Sequence, residues 1–100
     1  MDIVDKAVSG SLESSDVLVT IEPARKGIAL DIESGVLRQY GRRIKKVVLE
    51  TLERLEVKAA SVTVVDKGAL DCIIKARVES AVFRAAGFTG NIPWGGVVRE

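Results

Sequence analysis

The sequence predicts an α+β domain: a two-layer sandwich with element order β-β-α-β-α, a three-stranded sheet and two helices on one face. Three observations carry this reading. Residues 17–22 and 28–33 alternate apolar and polar positions with period two, and residues 57–66 are rich in β-branched side chains, as strands require. Two longer stretches instead repeat apolar residues every three or four positions, the period of a helix. Each of these has a single apolar face, so the simplest packing lays both on one side of the sheet. A length of 100 residues, with 47% hydrophobic and 29% charged, suits one domain spanning the whole chain. Its four aromatic residues are Tyr40, Phe83, Phe88 and Trp94, so the core must be built from Val, Ile, Leu and Ala.

Residues 1–15 show no sustained periodicity and include Ser9, Gly10, Ser11, Ser14 and Ser15, the composition of an ordered loop or a mobile arm. They are assigned as a flexible N-terminal segment. In the first predicted strand Val17, Val19 and Ile21 alternate with Leu18, Thr20 and Glu22. Pro23 to Gly27 supplies turn chemistry. In the second strand Ile28, Leu30 and Ile32 alternate with Ala29, Asp31 and Glu33, and the two runs predict an antiparallel hairpin.

Ser34 is placed to cap a helix, because its hydroxyl can accept from a free backbone N–H. Val36, Leu37, Tyr40, Ile44, Val47, Val48, Thr51, Leu52 and Leu55 then line one face of a helix ending near Leu55. Arg38, Arg42, Lys45 and Lys46 fall on roughly the opposite face. The third strand holds Val57, Val62, Val64 and Val65 with Ser61 and Thr63 between them, and Asp66-Lys67-Gly68 breaks it. From Ala69 onward Leu70, Ile73, Ile74, Val78, Ala81, Val82 and Ala85 repeat with helical spacing. Asp71 complements the dipole in the first turn, and Gly87 suits a left-handed C-terminal cap. The tail, residues 88–100, holds Gly90, Pro93, Gly95 and Gly96 and is read as irregular. Strand order stays open, since a helical crossover can place the third strand on either side of the hairpin.

Composition excludes several functions. A net charge of +1 does not suit nonspecific wrapping of nucleic acid, which needs a strongly basic face. Cys72 is the single cysteine and there is no histidine, so neither an intrachain disulfide nor the usual zinc ligand set is expected, and no metal site is assigned. Asp2 and Asp5 stand where a secretory signal would carry positive charge, and no stretch approaches the ~20 apolar residues that span a bilayer. A cytoplasmic, membrane-free setting is the expectation.

Leu12-Glu13-Ser14-Ser15-Asp16 concentrates the chemistry. A serine hydroxyl is a weak nucleophile until a base takes its proton, and this chain lacks histidine, the usual base. A serine here is therefore better suited to modification by another protein than to attack on a substrate, and no catalytic residue is assigned. The second motif is Asp66-Lys67-Gly68-Ala69-Leu70-Asp71-Cys72, followed by Ile73-Ile74-Lys75-Ala76-Arg77-Val78-Glu79.

The two motifs together, at this spacing in a chain of this length, closely resemble the acyl carrier protein of citrate lyase, its gamma subunit. The resemblance runs from about Ala7 to Trp94. It implies a non-catalytic carrier whose serine at the position of Ser14 bears a phosphoribosyl-dephospho-coenzyme A arm through a phosphodiester link. Glu13 and Asp16 would help a prosthetic-group transferase recognise that serine. Many members have glycine after the modified serine, where this chain has Ser15. The implied partners are the alpha subunit, which exchanges acetyl for citryl on the arm, the beta subunit, which cleaves the citryl thioester to oxaloacetate, and the ligase that acetylates the arm. Ordinary acyl carrier proteins place their serine in an Asp-Ser-Leu motif of a four-helix bundle, and neither feature occurs here.

The remaining features are weighed beside that reading. The stripe of Arg38, Arg42 and Lys46 is either a solvated face or a docking surface for acidic patches on partner subunits or for the anionic phosphates of the arm. Cys72, between apolar helix positions, reads as a small packed residue, since the arm would supply the thiol. Gly87-Phe88-Thr89-Gly90 formally matches the GXXG loop of a nucleic-acid-binding KH domain, which must join two helices, and no second helix is expected after Gly90. A small α+β nucleic-acid-binding domain using the basic helix is the alternative function. Trp94 is either a cover for the core edge or a partner contact.

Overall fold

The computed structural model describes residues 1–34 and 38–87, with the side chains of residues 38–40 outside that description. Six elements follow in order: β1 (Ala7–Gly10), β2 (Val17–Glu22), β3 (Gly27–Ser34), α1 (Arg38–Arg54), β4 (Ala59–Asp66) and α2 (Asp71–Ala85). They form an α+β sandwich in which a mixed sheet of order β1-β2-β4-β3 is covered by two helices. The sheet has four strands and not three, because residues 7–10 within the expected N-terminal loop or arm pair with β2.

Strand order corrects the predicted hairpin. β2 and β3 run in opposite directions, but β4 lies between them, antiparallel to β2 and parallel to β3. The extended reach of the four residues 23–26, about 13 Å, is enough to cross the two strand spacings of about 4.8 Å each. Composition explains the placement. β4 buries Ala60, Val62 and Val64 at the sheet centre, whereas β3 carries Asp31 and Glu33 on its outer face, as suits an edge strand. The parallel β3–β4 pair is closed by the α1 crossover, the connection such a pair needs. The hairpin that does form is β1–β2, and residues 11–16 are its loop.

Alternation decides which face is buried. Val17, Val19 and Ile21 of β2 and Ala60, Val62 and Val64 of β4 point beneath the helices, joined by half-buried Ile28, Leu30 and Ile32 of β3. α1 contributes Ile44, Val48 and Leu52, and α2 contributes Ile74, Val78, Ala81, Val82, Phe83 and Ala85. α2 packs over β1 and β2 while α1 packs over β3, and the helices also touch each other. Among the described residues Phe83 is the largest fully buried side chain. Arg54 of α1 pairs with buried Glu79 of α2, a cross-link that the helical period alone did not mark.

The helix ends follow the expected chemistry in part. Gly87 adopts φ +78, the predicted left-handed cap, and its N–H donates to the Arg84 carbonyl at 3.1 Å. α1 closes in the same manner through Glu56 at φ +57, with Val57 N–H donating to Leu52 O at 2.9 Å. Ser34 ends β3, where its hydroxyl donates to Asp66 Oδ2 at 3.2 Å, and the backbone N–H groups that it is expected to cap lie outside the described residues. Val36, Leu37 and the tail residues Phe88, Thr89, Gly90, Pro93, Trp94, Gly95 and Gly96 lie outside the described residues, as does the side chain of Tyr40.

Candidate functional site

The serine motif forms the tip of the β1–β2 hairpin. Asp16 N–H donates to Glu13 O at 3.1 Å, closing a four-residue turn whose two central positions are Ser14 and Ser15. Ser15 has φ +67 and Ser14 does not have a positive φ, the pattern of a turn that favours glycine at its second central position. Both serines are exposed. The Ser14 hydroxyl makes no hydrogen bond to the described residues, so its oxygen is open to substitution without disturbing the fold.

The turn is fastened from three directions. Ser15 N–H donates to Lys67 O at 2.8 Å and Lys67 N–H donates to Asp16 O at 2.9 Å, extending the β2–β4 ladder past its last paired residues. Asp16 aims its carboxylate inward. Its Oδ2 accepts the Ser11 hydroxyl at 2.6 Å, and its Oδ1 accepts Val17 N–H at 2.8 Å. Arg77 of α2 donates through Nε and Nη2 to the two oxygens, each at 3.2 Å. The Ser11 hydroxyl above all, then the Val17 N–H, with Arg77 adding to them against a partial loss of solvent, hold the Asp16 pKa down at about 2. So acidic a carboxylate is a poor base for a serine hydroxyl.

The second motif is the socket of the first. Gly68 takes φ +91 to turn the chain after β4, and buried Asp66 accepts Ala69 N–H at 3.0 Å as well as the Ser34 hydroxyl. These bonds fix the Lys67 backbone that grips the serine turn. Gly10 is required at the other end: with φ +97, any Cβ there would drive into the Val17 carbonyl oxygen. Leu12, Leu70 and Ile73 are apolar side chains left exposed on the elements that meet at the turn.

The structure thus brings Glu13, Ser14 and Asp16 together in one turn, with Glu13 exposed and Asp16 turned inward. It does not bring the basic stripe to them. α1 packs over β3, two strands from the serine hairpin, with Arg42 and Lys46 exposed and Lys46 within 3.9 Å of Glu50. The Arg38 side chain lies outside the described residues. Cys72 is exposed near the start of α2, not packed as its apolar neighbours suggested. Arg77 stands in the second motif but was assigned no role, because the carboxylate it grips is 61 residues away and nothing local distinguishes it from a solvated helix arginine. Among the described residues no helix is long and apolar enough to cross a membrane.

Comparison with known proteins agrees with this architecture. A family model headed ACP and described as malonate decarboxylase delta subunit (MdcD) matches residues 4–85. Citrate lyase acyl carrier proteins are similar over most of the chain. That of Streptococcus uberis is 58% identical over 87 residues, covering 87% of this chain and 86% of the relative. That of Streptococcus mutans is 60% identical over 87 residues, covering 86% and 85%. That of Escherichia fergusonii is 49% identical over 98 residues, covering 97% and 100%. A chain in the crystal structure of a Pseudomonas malonate decarboxylase hetero-tetramer in complex with malonate shares the fold, with a TM-score of 0.66 and 22% identity over 83% of this chain and 86% of that one.

Proposed function

This chain belongs to the citrate lyase acyl carrier protein family, and we propose that within it Ser14 is the residue that carries a covalent phosphoribosyl-dephospho-coenzyme A arm. The chain is an acyl carrier, a non-catalytic subunit, and its role is attachment and presentation. One observation supports Ser14 above Ser15: it occupies the turn position with ordinary backbone and a hydroxyl that bonds to none of the described residues, while the Ser15 backbone is bound to Lys67 at a positive φ. When bound, the arm supplies the thiol on which acetyl and citryl groups are carried.

The chain's own residues do the rest. The turn projects Ser14 from the end of the sheet, clear of the core, so a long arm anchored there can reach active sites on other subunits. Exposed Glu13 is the residue offered to a prosthetic-group transferase. Asp16 acts indirectly, by shaping the turn that the transferase reads. Arg42 and Lys46, with Arg38 at the start of the same helix, form a separate docking face for the alpha and beta subunits of citrate lyase. An acetate-activating ligase completes the set of partners. The reading is tested by reconstitution with the alpha and beta subunits, the transferase and the ligase. Wild type and Ser15→Ala are expected to support citrate cleavage and Ser14→Ala to abolish it; a fully active Ser14→Ala would overturn the assignment.

A further inference from the structure

The Ser14 turn is gripped by one side chain from outside the sheet, and we infer that Arg77 is the positioning residue that presents Ser14 to the modifying transferase, an inference resting on the attachment reading above. Arg77 lies in the middle of α2, with side-chain exposure of 42%. Its stem passes close over the end of β1, where a Cβ built on Gly10 would stand 3.3 Å from Arg77 Cδ. Its planar fork meets both oxygens of Asp16 at 3.2 Å, an arrangement that fixes direction as well as distance.

The same carboxylate receives the Ser11 hydroxyl from the entry of the loop and the Val17 N–H from its exit. One pair of oxygens thus ties both ends of the loop to α2. Without Arg77 the loop tip is held to the rest of the fold by its two backbone bonds to Lys67. A non-glycine residue at φ +67 persists only where its surroundings over-determine it, and the Arg77 fork is part of that constraint on Ser15 and so on the direction of Ser14. A looser turn would show the transferase-competent conformation for a smaller fraction of the time, which raises apparent KM in proportion and leaves kcat unchanged.

The test uses the full chain with Arg77→Gln, Arg77→Lys, Asp16→Asn and the double variant Asp16→Asn/Arg77→Gln, each checked by thermal melting. Amide hydrogen exchange at Ser15 and Val17 is read on the unmodified protein, and arm transfer by the purified transferase is followed by intact mass. Arg77→Gln and Asp16→Asn are each expected to speed exchange and raise the transfer KM by about fivefold. Arg77→Lys, which keeps the charge and loses the fork, should recover only part of this. The double variant should be no worse than the worse single one, as befits two ends of one contact. Wild-type exchange and KM in either single variant, complete recovery by Arg77→Lys, or additive losses in the double variant would each overturn the inference. Failure of the wild type to take an arm on Ser14 would instead overturn the attachment reading, and the exchange rates would still decide whether Arg77 orders the turn.

Discussion

Replacing Ser15 by glycine should stabilise the protein, and replacing its neighbour Ser14 should not. Ser15 is held at φ +67, where an L side chain brings its Cβ against the following carbonyl at a cost of about 1–2 kcal/mol. Glycine removes that penalty, but its freer unfolded chain costs about 0.5–1 kcal/mol on folding. The difference leaves a gain of about 0–1.5 kcal/mol, centred on about 0.75 kcal/mol, or about 3–6 °C in Tm at that centre for a domain of this size. Ser14 has no positive φ, so Ser14→Gly incurs only the entropic loss and should destabilise by about 0.5–1 kcal/mol. Urea unfolding monitored by circular dichroism measures both, with the midpoint moving in opposite directions and the slope unchanged. A midpoint for Ser15→Gly below that of the wild type would refute the turn geometry on which the site rests.

Three further outcomes are expected. Gly10→Ala should cost about 3 kcal/mol or more, read as a lowered urea midpoint, because the new methyl group collides with the Val17 backbone and the residue must hold φ +97. Asp16 should titrate near pH 2 by carbon-detected NMR. Since folding lowers its pKa from 3.8, its contribution to stability is complete above about pH 3.8 and is lost as pH falls through 2, and Ser11→Ala and Arg77→Gln should each raise that pKa. Arg42→Glu combined with Lys46→Glu should weaken co-purification with the alpha and beta subunits while leaving arm transfer to Ser14 unchanged, because α1 packs two strands away from the serine hairpin.

Much of this molecule was legible because its signals are local. The alternation of Val17, Val19 and Ile21, the period of Ile44, Val48 and Leu52, and the glycine at position 87 report backbone preferences that neighbours in sequence determine. β1 was not legible. Four residues that include Ser9 and Gly10 have too little pattern to announce a strand, and their structure comes from the β2 partner. Nor was the insertion of β4 between β2 and β3, since strand order reflects which strand best tolerates burial on both sides. Nor did the pattern show that the Ser34 hydroxyl also donates to buried Asp66 across the β3–β4 pair. At the site, the motif marked Ser14 and its acidic neighbours. What that motif could not disclose is that Asp16 faces inward, that Lys67 clasps the turn through its backbone and that Arg77 completes the clamp, because each of these contacts depends on the folded arrangement of distant segments.

The central claim, that the turn offers Ser14 and not Ser15 for modification, is tested most directly by peptide fragmentation of the wild-type protein after coexpression with the prosthetic-group transferase. The expected result is a single arm whose mass is retained on fragments that contain Ser14 and absent from those that contain Ser15 without it. An arm mapped to Ser15, or no arm at all, would contradict the account.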